Sequence, residues 1–382
     1  MRPTIHNLQA LRGVACLLVL GVHMAVWESS FGIGRPLLRP FMWFGFAGVD
    51  LFFVLSGFII THTQGRYLGQ PTAVPGYLFR RAWRIYPTFL VVMPLAVAGV
   101  LALTGQWAYP TTPDAPGVRT RWISWLTLAP CRVPNLYVPP AWSLSYELLF
   151  YLAFALLLVL PKRIGPWLLV AWGVGIGVLA AFGGPAAFTR NAWAEHLGSP
   201  FVWEFLLGCG LAWAIGRGWC RFGWLALVGG VVWGVTWVLT LADPANPAEV
   251  AANVSRRVFV FGIASALLVY GTVAVELRGG RILPRWLQRV GDASYSIYLW
   301  HAPAGAVAYH LTLTWPHTTL PHLGWLAMML AVCVGGGFGL YWLVERPLLN
   351  VVRRKPPKPS TPTVVIAERV GVESREPVPL GR

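Results

Sequence analysis

Residues 10–24 read Ala-Leu-Arg-Gly-Val-Ala-Cys-Leu-Leu-Val-Leu-Gly-Val-His-Met, an apolar stretch holding one permanent cation, Arg12, and one imidazole, His23. As a helix, the eleven steps between them turn about 100° each and return to within roughly 20° of the starting face. The same steps climb roughly 16 Å, about half the hydrocarbon thickness of a bilayer. Arg12 and His23 therefore share one stripe, one near a membrane surface and the other deep or towards the far side. Ionisable side chains at such depth cost about 2.5–3.5 kcal/mol on insertion scales, so they mark where function is to be sought.

The rest of the chain fits that reading. Of 382 residues, 56% are hydrophobic and only 12% charged, about half the charged fraction of a soluble domain. The 21 Trp residues suit membrane interfaces. A net charge of +16 does not point to nucleic acid, because the cations fall in short loops between apolar runs. Ten such runs lie near residues 8–27, 41–62, 84–104, 141–160, 166–184, 200–216, 222–242, 256–276, 292–312 and 323–346. The expected fold is all-α and polytopic, with about ten transmembrane helices over residues 1–350. Residues 351–382, basic and Pro-rich, are expected to form a disordered cytoplasmic tail. With both termini in the cytoplasm, 22 of the 30 Lys and Arg residues face inward, as the positive-inside rule requires. The first run reads as an uncleaved helix rather than a signal peptide. The segment near 105–140 reads as a lid or rim. With Cys131 alone outside, no intramolecular outer disulfide is available.

Two groups of side chains stand out. Arg80, Arg81 and Arg84 lead into the third run, and their i+3 and i+4 spacings put at least two guanidinium groups on one face. Positive-inside anchoring explains an isolated Arg; three within five residues favour a phosphate-bearing ligand, which guanidinium forks suit. Towards the outer side, His23, Asp50 and Glu147 reach similar depths from the first, second and fourth runs. An imidazole beside a carboxylate is a general-base arrangement; a helix–helix hydrogen bond is the plainer alternative. Ser143, Glu147 and Tyr151 form a polar stripe of period four, and Ser294, Tyr298 and His301 another at i, i+4, i+7. For the second stripe, packing is the first reading and lining of a substrate channel the second. Asp292 and Glu345 read as structural, with Arg346 or the arginine cluster as partner of Glu345, and Glu204 is ambiguous. His310, His317 and His322 match no metal spacing and read as solvated loop residues. No phosphate-binding Gly loop, CxxC, HExxH or GxSxG occurs.

These pieces resemble the membrane acyltransferase-3 family, which includes bacterial O-antigen and exopolysaccharide O-acetyltransferases and macrolide-sugar acyltransferases. The match rests on Arg12 and His23 with ten residues between them, Gly48–Phe58, and Arg80-Arg81-x-x-Arg84. Trp142-Ser-Leu-x-x-Glu147-x-x-Phe-Tyr151, Glu204-Phe-x-x-Gly208, Ser294-Tyr-x-x-Tyr-Leu-x-His301 and Val344-Glu-Arg-Pro347 follow in order. The resemblance implies a multi-pass enzyme of the bacterial plasma (inner) membrane, with no tightly bound cofactor and no metal. It would move an acyl group, most simply acetyl, from cytoplasmic acyl-CoA to a hydroxyl of a carbohydrate or glycosylated acceptor. His23 then resembles the catalytic base, Arg12 with Arg80, Arg81 and Arg84 the donor-binding set, and Glu147 the acid after Trp-Ser-Leu. Tyr146 and Leu148 depart from the Val and second acid that flank this acid in many relatives. Many relatives also carry an outer esterase-like domain, which these residues lack. The competing class is a proton-coupled transporter or flippase using His23, Asp50 and Glu147 as a relay. It predicts two related halves, and no internal repeat is present.

Overall fold

The protein is described from a computed structural model covering residues 5–31, 36–105, 118–130, 138–184, 191–241, 253–280, 283–313 and 322–353. Each of the ten apolar runs is helical. They are α1 (His6–Phe31), α2 (Ala47–Gln64), α3 (Val74–Thr104), α4 (Trp142–Val159), α5 (Gly165–Ala181) and α6 (Phe201–Gly216). Then come α7 (Gly223–Leu241), α8 (Val254–Leu277), α9 (Ser294–Leu313) and α10 (His322–Val352). Eight are long and apolar enough to cross a membrane; α5, at 17 residues, is shorter, and α9 carries a polar face. No strand occurs among the described residues. The all-α, polytopic expectation holds.

Two boundaries differ from the sequence reading. Helix α3 begins at Val74 rather than 84, so the three arginines sit within it, and it runs on through Pro87 and Pro94. Bundled neighbours tolerate such prolines by re-satisfying freed backbone groups. Helix α10 passes the run's expected end near 346 and the expected domain end at 350, its last turn reaching Arg353; the tail from 354 lies outside the described residues. So do most of the expected rim, Cys131 and His317. Cys16, Cys209, Cys220 and Cys333 are free thiols.

With lipid outside as apolar as the side chains, helices associate through close packing at small residues. Helices α2 and α6 cross where a Cβ on Gly57 would strike the Phe205 carbonyl, and one on Gly208 the Val54 carbonyl. Gly48 plays the same part between α1 and α2, facing the Ala15 carbonyl. Gly13 and Gly291 do so between α1 and the short helix Arg285–Asp292. These contacts seat α1 against α2 and, through Arg285–Asp292, at the head of α9. Gly208→Val is therefore expected to destabilise the bundle by about 1–3 kcal/mol through overpacking. Gly229→Val, where an added Cβ meets nothing within 4 Å, leaves stability unchanged. Thermal unfolding in detergent reads the difference.

An aromatic cluster completes the frame. Phe53 of α2 touches Trp142, Tyr146 and Phe150 of α4 and Phe201 of α6, with ring centroids 5.5–6.3 Å apart. Tyr146 also stacks on His196 at 4.2 Å. It is turned about 100° from Glu147 around α4, so the departure at this position fills the cluster and leaves the Glu147 face free.

At the C-terminal end of α1, buried Glu28 accepts from the Leu37 and Leu38 amides at 2.8 Å each and meets His322 Nε2 at 2.7 Å. His322 is thus a helix-start partner of a buried acid, not a solvated loop residue, and His310 lies within α9.

Candidate active site

Helices α1 and α9 run side by side in one direction. Arg12 Nη2 donates to Ser294 Oγ at 3.0 Å near their starts, and farther along the His23 and His301 rings meet at a centroid distance of 4.9 Å. The Arg12–His23 stripe therefore faces the Ser294–Tyr298–His301 stripe.

At the arginine end, Arg12, Arg81 and Arg84 line one cleft with Ser56, Ser143, Glu147, Tyr151, Ser294, Tyr295 and Tyr298. Arg12 is oriented by Gln9 Oε1 at 3.0 Å, and Gln9 in turn by Asp292 at 2.9 Å. Arg81 lies over the Tyr77 and Tyr151 rings, 5.6 and 5.3 Å from their centroids, the cation–π placement that lets a guanidinium keep its edge free. Glu147 accepts from the Tyr151 hydroxyl, and Glu345 from Ser296 Oγ at 2.6 Å. Among the described residues no ion pair within 4.0 Å holds Arg12, Arg81 or Arg84. Three cations against two nearby carboxylates, Glu147 and Glu345, whose charges act on Arg12 and Arg84, leave the cleft a surplus of positive charge. An anion is the natural complement to charge held out of water.

Towards the histidine end, Tyr298 links the parts. Its hydroxyl lies 2.8 Å from Ser143 Oγ and 3.1 Å from the Pro140 carbonyl, and its ring centroid is 5.8 Å from that of His301. His23 Nδ1 is 2.8 Å from the Val19 carbonyl. A carbonyl only accepts, so Nδ1 carries the proton and Nε2 the lone pair in the neutral ring. That is the tautomer a general base needs.

The structure does not bring all the expected residues together. Asp50 is fully buried and gripped by Arg257, with Nε at 3.0 and 2.9 Å from its two oxygens and Nη2 at 2.7 Å. Arg257 also donates to the Phe46 carbonyl at 3.0 Å and lies over the Phe46 and Phe201 rings. Asp50 is thus a structural anion, since its lone pairs are spent on Arg257. Glu147 opens into the arginine cleft instead of meeting His23, whose Nδ1 is already bonded to its own helix. Among the described residues no hydrogen bond or ion pair joins His23, Asp50 and Glu147, whose partners are the Val19 carbonyl, Arg257 and Tyr151 respectively. Arg80 is exposed and outside the cleft, because the cleft face of α3 lies between Arg81 and Arg84, on the far side of Arg84 from Arg80. Glu204 is buried beside Asp50, with Gly262 leaving it space. Arg346 packs over Trp342, 4.1 Å from its centroid, rather than pairing with Glu345.

Residues 5–342 match the family described as an acyltransferase domain. The chain belongs to that acyltransferase family. It is 30% identical over 330 residues to the exopolysaccharide production protein ExoZ of Rhizobium meliloti (strain 1021), covering 80% of this chain and 90% of the relative. It is 27% identical over 400 residues to the acyltransferase MdmB of Streptomyces mycarofaciens, covering 95% and 97%. The peptidoglycan O-acetyltransferase OatA of Listeria monocytogenes serovar 1/2a (strain ATCC BAA-679 / EGD-e) is 25% identical over 376 residues, covering 86% of this chain and 53% of that protein. No solved structure matched the chain. The fold is thus that of a multi-pass membrane acyltransferase, and the cleft along α1 and α9 is its candidate active site.

Proposed function

We propose that the protein moves an acyl group, most simply acetyl, from cytoplasmic acyl-CoA to a hydroxyl of a carbohydrate or glycosylated acceptor at the bacterial plasma membrane. One observation carries this reading: Arg12, Arg81 and Arg84 converge at one end of the α1–α9 interface without an ion-pair partner within 4.0 Å among the described residues, and His23 stands at the other. The arginines would hold the CoA phosphates, which fork-shaped donors match bidentately and which keep their charge at any working pH. The pantetheine arm would run past Ser143 and Tyr298 towards His23. His23 Nε2 would then take the acceptor hydroxyl proton as the oxygen attacks the thioester carbonyl. The names of ExoZ and OatA support a carbohydrate acceptor. Glu147 and Tyr151 would set the shape and charge of the donor end.

Arg84 gives the first test. Arg84→Ala is expected to weaken acetyl-CoA binding by about 2–3 kcal/mol, roughly 30- to 150-fold, the cost of losing a charge-assisted contact. Arg84→Lys keeps the charge but not the fork, and should fall between the two. Equilibrium binding of radiolabelled acetyl-CoA in nanodiscs measures both. Wild-type affinity in Arg84→Ala would remove the phosphate site from the account.

A further inference from the structure

The sequence supplied His23 with carboxylate partners, and the structure supplies an imidazole instead. His301 is 1% exposed, and its ring meets that of His23 edge-on, with 4.9 Å between centroids and 70° between planes. His301 Nδ1 lies 3.2 Å from the Ile297 carbonyl. By the same logic as for His23, that nitrogen is the donor and Nε2 the lone-pair acceptor. Yet His301 Nε2 is buried with no hydrogen-bond partner among the described residues. A buried acceptor left unmatched costs free energy, and here it is left unmatched beside the proposed base. Packing alone would be served by a Phe or Leu at this position, with no orphaned nitrogen.

We infer that His301 is the positioning partner of His23. When His23 Nε2 takes the acceptor's proton, the edge-on His301 ring, 4.9 Å away between centroids, offers the imidazolium a neutral lone-pair neighbour, a weaker stabilisation than a carboxylate's but one without a fixed negative charge. The step balances with no further reactant. The acceptor O–H bond breaks and its proton goes to His23, the oxygen–acyl carbon bond forms, and the carbon–sulfur bond breaks. The proton then passes from His23 to the leaving thiolate, and both imidazoles end neutral. This inference rests on the reading of His23 as base.

The test compares His301→Leu, which fills the space without an acceptor, with His301→Gln, whose amide oxygen can accept near the Nε2 position. His301→Leu is expected to lower kcat for thiol release roughly 100-fold, with KM for acetyl-CoA and donor binding unchanged. His301→Gln should recover at least a tenth of wild-type kcat. Equal activity of both variants with wild type, equal loss in both, or loss of donor binding in both would overturn the positioning role. His23→Ala is run alongside. If it keeps wild-type kcat the base assignment fails; if it is inactive while His301→Leu is not, the present inference alone fails.

Discussion

Replacing His23 by alanine is expected to cut acyl-dependent thiol release by roughly 10²- to 10⁴-fold while acetyl-CoA still binds. The expectation follows from the separation of the two ends of the site. His23 lies eleven residues along α1 from Arg12, and the cleft lined by Arg12, Arg81 and Arg84 does not include it. Removing the imidazole therefore leaves every proposed phosphate contact in place. His23→Asn sharpens the test, because its amide can still donate to the Val19 carbonyl but offers no basic nitrogen at the Nε2 position. It should be as inactive as alanine. A loss of kcat with unchanged donor affinity is the signature of an interaction made only in the transition state. Parallel loss of binding in both variants would instead make His23 a structural residue.

The second large effect falls on a pair that the chemistry does not use. Arg257→Ala leaves Asp50, fully buried, as an uncompensated anion, and Asp50→Leu leaves Arg257 as a buried cation. Either change is expected to cost about 3–5 kcal/mol. Replacing both together by apolar residues of similar volume, Asp50→Leu with Arg257→Met, removes the attraction and the desolvation penalty at once. It should recover most of that loss. Neither residue lines the cleft, so the double variant should also bind acetyl-CoA as wild type does. Thermal unfolding in detergent, followed by donor binding, decides the matter. Singles as stable as wild type, or a double less stable than either, would remove Asp50 and Arg257 from the frame.

The residues show what could be read from the sequence. The ten helices were legible because uncharged runs of about 20 residues have few other uses. Period arithmetic along one helix also gave true results: Arg12 and His23 share a face, Arg81 and Arg84 reach one cleft, and Ser294, Tyr298 and His301 line one side of α9. It failed where the answer depended on which helix stands opposite. Asp50 has Arg257 as its partner 207 residues away, and the only sequence signal was an arginine pair, Arg256-Arg257, at the mouth of an apolar run. His23 faces His301 rather than an acid for the same reason: depth alone does not choose among neighbours. Hydropathy hid the first turns of α3 because three arginines there lower the window average, although a helix that turns two of them inward loses little by carrying them. Glu28 belongs to no motif in the sequence, and only the fold brings His322 and the Leu37 and Leu38 amides to it.

The most direct test of the account is a cryo-EM structure of the protein in nanodiscs with a non-hydrolysable thioether analogue of acetyl-CoA. The phosphates are expected within hydrogen-bond reach of Arg12, Arg81 and Arg84, the pantetheine arm along Ser143 and Tyr298, and the acyl end beside His23 and His301. Phosphates bound away from those arginines, or an arm leading away from His23, would contradict it.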